Sequence, residues 1–317
     1  MLKLLVRSIR LEARNIHSFE LVDPDGRELP PFEAGAHIDV CLPNGLIRQY
    51  SLYNPPWDRS GYRIAVLEVE NSRGGSLAMH HEIRVGDMLQ IDGPRNLFPL
   101  HQDSDHSILI AAGIGITPLL AMLNQLEKDN RSYELHYCTK TPVHTAFLEQ
   151  LEKSIRSGRT RIYHDNGDPS KGLQLSKLLS TRSEDTHLYY CGPPGFMEAV
   201  KNATTDWPSH TVHSEYFAAP KAVTQSDVEP VQEFEVLLDR SQVAVRVMAD
   251  ESILNAVRKA GIECTSSCET GVCGACRVRY LQGTPEHHDY ILSDEEKEEY
   301  VLICCARSSS KYLVLDL

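Results

Sequence analysis

The alternation of hydrophobic and polar residues divides this chain into three segments with different periods. Over residues 1 to about 100, short apolar runs with a two-residue period are separated by Gly, Pro and Asn turns, as in HIDVCL, IRQYSLY, YRIAVLEV and MLQIDGP. A two-residue period places alternate side chains on opposite faces of a strand. Residues 1–102 are therefore predicted to form a small antiparallel β-barrel or sandwich.

The middle segment, residues 103–220, alternates two kinds of element. The buried-looking strands SILIAA, YELHYC, RIYHD and HLYYC are interleaved with the helical stretches LLAMLNQLEK, AFLEQLEKSIR and GFMEAVKNAT. Strands that alternate with helices indicate βαβ units, so we predict an α/β domain with a parallel sheet.

A stretch without any period follows the middle segment. The run AAPKAVTQSDVEPVQ is rich in Pro, Ser, Ala and charge, which predicts a linker over residues 221–231. Beyond it, residues 232–317 contain two strands, a helix (SILNAVRKAG), a cysteine-rich loop, a strand (RVRYLQG) and a final strand (LVLDL), which is an α+β pattern. The sequence thus predicts a multidomain protein.

Length and composition agree with several globular domains. The chain has 317 residues, of which 41% are hydrophobic and 24% charged, and one domain usually takes about 100–200 residues. The first apolar run is interrupted by Arg7, Arg10 and Glu12, so we interpret it as a strand rather than a signal peptide. No apolar stretch approaches the roughly 18 residues of a membrane span. We therefore expect a cytoplasmic protein that does not bind a membrane.

The formal net charge of −12 argues against nucleic acid as a partner, because phosphate binding needs clustered Lys and Arg. Residues 231–317 hold 15 acidic and 9 basic residues, which is about half of that excess. Two interpretations remain open for this acidic segment. It is either a solvated face or a docking surface for a basic partner.

Six of the nine cysteines fall between Cys264 and Cys305, which is typical of metal ligation. Cys268, Cys273 and Cys276 have the spacing C-x4-C-x2-C, and with one distant cysteine this is the ligand pattern of plant-type [2Fe–2S] proteins. The loop is glycine-rich, which lets it fold tightly and turn its amides towards sulfur. A structural zinc site would more often show two CxxC pairs.

The fourth ligand is ambiguous from spacing alone. If YVLICCAR is a strand, Cys304 and Cys305 point in opposite directions and one of them faces the cluster, but periodicity does not say which. Using Cys264 would break the four-residue spacing, so we interpret it as a core residue. His287 and His288 in PEHHD are predicted to be loop residues rather than ligands.

Two glycine turns follow predicted strands of the middle segment. Gly113, Gly115 and Thr117 lie in GIGITP after SILIAA, and Cys191 and Gly192 lie in CGPP after HLYYC. Glycines allow close backbone approach, and a helix N-terminus attracts an anion such as pyrophosphate, although such turns also occur for tightness alone. Because ligands gather at the carboxyl ends of parallel strands, we predict a nucleotide site here, without the GxGxxG fingerprint.

The choice between NADH and NADPH depends on the residues that would face the ribose. Asp165, which closes RIYHD, is either a partner for a ribose hydroxyl or an ordinary surface residue. No Arg cluster suitable for a 2′-phosphate is obvious, although Lys140 and Arg131 keep NADPH open beside NADH.

The first segment contains a candidate flavin site. Arg48 and Tyr50 lie on the strand RQYS, and Arg73 and Ser76 flank two glycines before a predicted helix. This combination could hold a phosphate, with Tyr50 against an isoalloxazine ring, although each residue alone would more often be structural. A hydride carries two electrons and a [2Fe–2S] cluster accepts one, so a flavin is needed to separate the pair.

Taken together, these motifs resemble the phthalate dioxygenase reductase family, which includes the vanillate O-demethylase reductases. The resemblance extends through PPFEAGAHIDV, RQYSL, SRGGS, GPRNLFPL, GIGITP, HDNGDP, CGPP and the C-terminal cysteines. It implies a flavin-binding barrel, an NAD domain and a C-terminal plant-type ferredoxin domain with the β-grasp fold. It also implies FMN and NADH as cofactors and a terminal Rieske-type oxygenase as the electron acceptor.

The resemblance also assigns residues. It implies FMN contacts from Arg48, Tyr50, Ser51, Arg73, Gly75 and Ser76, and NADH contacts from Gly113, Gly115, Thr117, Cys191 and Gly192. It places the aromatic ring of Phe217, in the motif Glu215-x-Phe217, near the flavin. It makes Cys304 the fourth cluster ligand and Cys305 a bystander. Two departures from the family pattern are Glu68, where a basic residue is frequent, and the residues after Pro193.

The resulting prediction is an NADH-dependent reductase component of a two-component aromatic-ring-hydroxylating or O-demethylating oxygenase. Hydride passes from NADH to FMN, single electrons leave through the cluster, and no side chain needs to act as an acid or base. One alternative keeps this chain of electron carriers but takes a haem monooxygenase as the acceptor. Another is an Fe–S redox sensor that binds nucleotide without turnover, against which GIGITP and CGPP argue.

Overall fold

The computed structural model describes the chain except for residues 71, 181–182, 184, 218–232 and 267. The chain divides into two compact units, residues 1–217 and residues 218–317. The predicted linker, 221–231, lies outside the described residues. No described helix is long and apolar enough to cross a membrane.

The first sheet of unit 1 is antiparallel, with six described strands in the order β4-β3-β6-β1-β2-β5. Its elements are β1 (Leu2–Ala13), β2 (Ile16–Val22), β3 (His37–Cys41), β4 (Ile47–Ser51), β5 (Tyr62–Leu67), α1 (Gly75–His81) and β6 (Met88–Arg95). Just after β4, the Tyr53 amide donates to the Arg63 carbonyl on β5 at 3.0 Å, which links the two edge strands. The sheet therefore curls into the predicted barrel around a core of Leu4, Val6, Phe19, Leu21, Ile38, Val40, Ile64 and Ile91.

The second sheet of unit 1 is parallel, in the order β11-β10-β7-β8-β9. Its strands are β7 (His106–Ala112), β8 (Ser132–Thr139), β9 (Thr160–His164), β10 (Thr186–Cys191) and β11 (Val212–Glu215), joined through α2 (Ile116–Lys128), α3 (Leu148–Arg156), α4 (Leu175–Leu178) and α5 (Pro194–Ala203). The chain runs outwards from β7 to β9 and then returns to β10 on the other side of β7. This reversal creates a crevice beyond the carboxyl ends of β7 and β10, where open α/β sheets bind ligands.

The barrel and the parallel sheet share one hydrophobic core, which explains why they form a single unit. The ring centroids of Tyr53, in the barrel, and Phe147, which precedes α3, lie 4.9 Å apart. A Cβ atom on Gly35 of the barrel would lie 3.1 Å from the terminal methyl group of Met122 in α2, so the barrel backbone packs closely on this helix. The predicted boundary at residue 102 thus falls between two sheets that pack directly together.

Unit 2 is built on a mixed sheet in the order β13-β12-β18-β14-β16. Its elements are β12 (Phe234–Leu238), β13 (Val243–Val247), α6 (Ile253–Lys259), β14 (Arg277–Gln282), β15 (Pro285–Glu286), α7 (Asp294–Lys297), β16 (Tyr300–Leu302), β17 (Arg307–Ser308) and β18 (Tyr312–Leu315). The central pair β12 and β18 is parallel, while β13, β14 and β16 run antiparallel to their neighbours. Ser252 caps α6 by accepting from the Asn255 amide at 3.2 Å. The predicted β-grasp fold is confirmed.

Candidate functional site

The two predicted nucleotide turns pack against each other at the crevice beyond β7 and β10. A Cβ atom on Gly115 would lie 2.2 Å from the carbonyl oxygen of Cys191, and one on Gly192 would lie 2.8 Å from the Cβ of Ala112. Gly113 has a φ of +56°, in the left-handed region that favours glycine. The two turns can therefore contact each other only if these positions are glycine. Helix α2 starts directly after the first turn, so its first backbone amides lie next to the crevice.

Thr117 stabilises the first glycine turn through a hydrogen bond of its side chain. Its side chain is buried, and its hydroxyl donates to the carbonyl oxygen of Ile114 at 3.1 Å. The side chain thus closes the turn, and a contact between Thr117 and the nucleotide stays a prediction.

The residues considered for the ribose and 2′-phosphate lie at opposite ends of the parallel sheet. The Arg131 guanidinium donates to the carbonyl oxygens of His101 and Ser104, at 2.8 and 3.2 Å, at the amino end of β8. Asp165 and Lys140 follow the carboxyl ends of β9 and β8, on the same edge as the glycine turns. Arg131 is therefore removed as a candidate ligand for a 2′-phosphate.

Ser51 and Glu215 join the barrel to the edge of this crevice. The Ser51 hydroxyl donates to a carboxylate oxygen of Glu215 at 2.9 Å, across 164 positions of sequence. Glu215 is the register partner of Cys191 on the neighbouring strand, and Ser51 is the register partner of His37. Four strands therefore bring together one polar group of four side chains, which we call the junction cluster: His37, Ser51, Cys191 and Glu215.

Two members of the junction cluster are titratable groups with strongly perturbed pKa values. Burial raises the pKa of Glu215 to about 7. Burial, assisted by the positive charge of Arg95, lowers the pKa of His37 to about 4. His37 is thus a neutral imidazole at physiological pH, whereas Glu215 changes its charge near neutrality.

The tautomer of His37 follows from its neighbours. The amide nitrogen of Gln49 lies 3.3 Å from Nε2 of His37, so Nε2 accepts and the proton resides on Nδ1. Nδ1 lies 4.0 Å from the second carboxylate oxygen of Glu215, a separation that one water molecule could bridge. Sequence reasoning missed His37, although a histidine at a core-facing position of the strand AHIDV was a usable signal.

Arg48, Arg73 and Gly75 are brought together beside the first turn of α1. A Cβ atom on Gly75 would lie 2.5 Å from Nε of Arg48, so the guanidinium passes directly over this glycine. Nη2 of Arg48 lies 3.4 Å from the carbonyl oxygen of Arg73. Tyr50, on the same strand as Arg48, is half-buried against the barrel core, and burial raises its pKa.

Ser76 and Phe217 are the remaining residues of the predicted flavin site. The Ser76 hydroxyl accepts from the Val69 amide and donates to the Ser72 hydroxyl, both at 3.2 Å, so it organises its own loop. Phe217 is 41% exposed and lies two residues after Glu215 of the junction cluster. The contacts of both residues with a flavin stay predictions.

The two departures from the family pattern have local structural roles. The carboxylate of Glu68 forms a 2.6 Å hydrogen bond with Nε2 of His81 and lies 3.6 Å from Nδ1 of His80. A Cβ atom on Gly192 would lie 2.6 Å from the ring of Phe196, so this ring packs directly against the CGP turn.

The cysteines of unit 2 form two sulfur pairs, one within the loop 268–276 and one between Cys276 and Cys304 in the turn that follows β16. The interaction with Cys273 holds the pKa of Cys268 below its usual range. The interaction with Cys276 likewise holds the pKa of Cys304 below its usual range. Backbone amides add to this pattern, since Thr270 N–H points at Cys268 Sγ at 3.4 Å and Cys268 N–H points at Cys273 Sγ at 3.5 Å.

This arrangement fits two irons better than one zinc. A [2Fe–2S] cluster takes four thiolates, two for each iron, whereas structural zinc takes four ligands around one centre. The two sulfur pairs and the amides aimed at sulfur therefore suit a [2Fe–2S] cluster.

The assumption that Cys304 and Cys305 lie on a strand and point in opposite directions is wrong. Strand β16 ends at Leu302, and residues 303–305 form a turn in which the amides of Cys305 and Ala306 both donate to the Leu302 carbonyl, at 3.1 and 2.9 Å. In a turn, successive side chains do not alternate. Cys305 Sγ lies 3.6 Å from the carbonyl oxygen of Leu302, and its assignment as a bystander of the cluster stays a prediction.

The remaining cysteine and histidines of this region lie against the core and in a loop, and that none of them binds the cluster stays a prediction. Cys264 is half-buried against the core of unit 2. His287 and His288 lie in a loop, which Asp289 stabilises by accepting from the amides of Ile291 and Leu292 at 3.3 and 2.9 Å.

Comparison with known proteins assigns both units. The family model of the 2Fe-2S iron-sulfur cluster binding domain matches residues 236–309, and that of the oxidoreductase NAD-binding domain matches residues 109–202. The chain is 43% identical to a vanillate O-demethylase oxidoreductase of Pseudomonas sp. (strain HR199 / DSM 7063), over 100% of each chain.

Solved structures give the same result. A phthalate dioxygenase reductase is 41% identical over 100% of this chain and 98% of its own, with a TM-score of 0.75. An intact type IV self-sufficient cytochrome P450 monooxygenase is 37% identical over 99% of this chain, with a TM-score of 0.87, and the match spans 41% of that longer chain. The chain therefore belongs to the phthalate dioxygenase reductase family and is an oxidoreductase with an NAD-binding domain and a C-terminal [2Fe–2S] domain.

Proposed function

We propose that this protein is the NADH-dependent, FMN-containing reductase component of a two-component Rieske-type oxygenase. The observation that carries the proposal is the Ser51–Glu215 hydrogen bond of 2.9 Å. It connects the strand that bears Arg48 and Tyr50 to the register partner of Cys191, so the candidate flavin site and the candidate nicotinamide site have a common wall.

The nucleotide binds in the crevice beyond β7 and β10. The glycine turns at Gly113–Gly115 and Cys191–Gly192 let the backbone approach the pyrophosphate, whose charge suits the start of α2. The position of Asp165 at the same edge suits a ribose hydroxyl, and Arg131 is engaged elsewhere. These features favour NADH over NADPH.

The barrel residues hold the flavin. Arg48 and Arg73, together with the start of α1 at Gly75 and Ser76, provide positive charge and donors for a terminal phosphate. Tyr50 and Phe217 supply aromatic surface for the ring system. FMN, when bound, accepts two electrons as a hydride and releases them one at a time.

The junction cluster maintains a polar wall where the two ligands meet. The Ser51 hydroxyl keeps its proton directed at Glu215, and the neutral imidazole of His37 keeps a proton on Nδ1 facing the same carboxylate. The positions of these side chains are set by strand register rather than by flexible loops, so they are preorganised before ligands bind. Positioning, not proton transfer to substrate, is their main contribution.

Unit 2 provides the exit for single electrons. Cys268, Cys273, Cys276 and Cys304 are the proposed ligands of the cluster. Plant-type clusters have reduction potentials near −400 mV, low enough to reduce a Rieske centre at about −150 mV or above. The excess of acidic residues in this segment suits an acceptor with a basic docking surface.

The test is turnover with purified acceptors. Protein reconstituted with FMN, iron and sulfide should sustain NADH-dependent turnover of a Rieske-type oxygenase at a higher rate than that of a haem monooxygenase. The similarity to a segment of a self-sufficient P450 makes haem the relevant competitor. Preferential turnover of the haem enzyme would refute the proposed acceptor. Two further expectations, a cytoplasmic location and the absence of nucleic acid as a partner, stay predictions.

A further inference from the structure

Asp289 is a buried carboxylate beside the cluster loop, and the proposed function gives it no role. Its side chain is 1% exposed. Oδ2 accepts from the amides of Ile291 and Leu292, at 3.3 and 2.9 Å, which fixes the side chain across a turn. Within the described residues, Oδ1 accepts no hydrogen bond. One oxygen of this buried group is therefore satisfied and the other is not.

Backbone contacts place Asp289 directly against Gly271, in the middle of the loop 268–276. A Cβ atom on Gly271 would lie 3.1 Å from Cα of Asp289 and 2.8 Å from Cys305 Sγ. The amide of Tyr290, the next residue, donates to the Gly271 carbonyl at 3.1 Å. Asp289 thus lies beside both the loop that carries three proposed ligands and the turn that carries the fourth.

The charge of Asp289 has little compensation nearby. Among the residues that the structure describes, its one ion-pair partner is His287, whose Nδ1 lies 3.6 Å from Oδ1. This distance is longer than a hydrogen bond, and Nδ1 of His287 is itself buried with no hydrogen-bond partner in the described part of the chain. An aspartate is ionised at neutral pH. Because solvent and salt screen a buried charge only weakly, its field reaches the surrounding loop.

We propose that the buried carboxylate of Asp289 sets the reduction potential of the cluster by holding it at a more negative value. This inference rests on the proposed function, in which the cluster is bound by the loop 268–276 and Cys304. Reduction adds one electron to the cluster, and net charge is one of the factors that set the potential of such a cluster. The added negative charge is repelled by Asp289, so the oxidised cluster is favoured. No bond of Asp289 is made or broken, and no proton moves.

The test is an anaerobic redox titration of the holoprotein, followed by the EPR signal of the reduced cluster. D289N removes the charge but keeps an oxygen that can accept from the two amides of the turn. D289S is a second neutral variant, whose hydroxyl can cap the same turn. E286Q is the matched control, because it removes the same charge from an exposed carboxylate three positions earlier. Iron and acid-labile sulfide are measured in each variant.

We expect D289N and D289S to retain the cluster and to shift its midpoint potential to a less negative value. The shift should persist at high salt, because mobile ions do not reach a side chain that is 1% exposed. E286Q should keep the wild-type potential, since solvent screens an exposed charge. If one neutral variant loses the cluster, the potential of the other decides.

A wild-type potential in the neutral variants would overturn the inference, as would an equal shift in E286Q. Loss of iron from both D289N and D289S would also overturn it, because the role of Asp289 would then be structural. Absence of a cluster from the wild-type holoprotein would instead refute the proposed function.

Discussion

At the scale of single residues, the junction cluster depends on contacts that four different strands bring together. Its members come from β3, β4, β10 and β11, and strand register fixes their positions. The Ser51–Glu215 contact spans 164 positions of sequence, so no local pattern could have predicted it. Period-2 alternation indicated which residues face inwards, but it could not indicate which inward-facing residues meet.

Replacing Ser51 with Ala should change the pH dependence of flavin reduction by NADH. The Ser51 hydroxyl stabilises the ionised carboxylate of Glu215, so its loss should raise the pKa of Glu215 above its present value of about 7. A hydrogen bond to a charged group contributes about 1.5–3 kcal/mol, so we expect an upward shift of about one unit or more. Rapid-mixing absorbance measurements across pH would detect it. S51T, which keeps the hydroxyl, serves as the control, and an unchanged profile in S51A would contradict the assignment.

Replacing Gly115 with Ala should weaken NADH binding without loss of flavin. The added Cβ would lie 2.2 Å from the Cys191 carbonyl oxygen, so the two turns must separate. Overpacking of this kind costs about 1–3 kcal/mol, which corresponds to at least a fivefold rise in the dissociation constant of NADH. Gly195, near the same edge, has open space around it and makes G195A the matched control. Equal NADH affinity in both variants would refute the proposed role of the Gly115–Cys191 contact.

At the scale of elements, hydrophobic periodicity predicted the helices α2, α3, α5 and α6 and most strands of the three larger sheets, but not β2, β11 or the short pair β15 and β17. It failed at residues 303–305, where an apolar run suggested a longer strand and the chain turns instead. The two amides and the one carbonyl that define this turn cannot be predicted from the hydrophobic pattern. Similarly, the length of the middle segment did not show that its sheet shares a core with the barrel, because that contact is long-range.

The amino end of the parallel sheet should make unit 1 sensitive to acid. His101, His187 and His213 stack there, with His213 Nε2 3.0 Å from His187 Nδ1, and burial lowers the pKa of His213 to about 3. Below about pH 6.5 an unfolded histidine takes up a proton, whereas folded His213 stays neutral until about pH 3. Stability should therefore fall as pH decreases through this window, by about 2 kcal/mol at pH 4.5.

Thermal unfolding of the protein between pH 7 and 4.5 tests this expectation. H213F should flatten the decline, while H210Q, at an exposed histidine of the same region, should follow the wild type. Parallel declines in H213F and wild type would exclude His213 as the source of acid sensitivity.

The cluster loop should tolerate very little bulk. Gly271 has a φ of +75°, and a Cβ atom there would lie 2.8 Å from Cys305 Sγ and 3.1 Å from Cα of Asp289. G271A should therefore lower the iron content of the protein severalfold. Gly261 has a similar φ of +81° but open space, so G261A separates backbone strain from steric contact. Comparable iron content in G271A and wild type would show that the loop adapts.

At the scale of the whole molecule, the two units carry separable chemistry. Replacing Cys276 with Ala should abolish electron delivery to one-electron acceptors that require the cluster, because one sulfur pair is lost. Reduction of the flavin by NADH should persist in C276A, since the nucleotide crevice and the barrel lie wholly in unit 1. Loss of flavin reduction in C276A, with flavin content unchanged, would show that the units do not act independently.

The central claim is that a two-electron donor and a one-electron outlet are coupled within one polypeptide. An anaerobic titration of the holoprotein with NADH, followed by visible absorbance and EPR, tests it most directly. The account predicts that the flavin band bleaches, that the EPR signal of a reduced [2Fe–2S] cluster then grows, and that more than one NADH is consumed per chain, because the flavin takes two electrons and the cluster one. Bleaching that ends at one NADH with no cluster signal would contradict it.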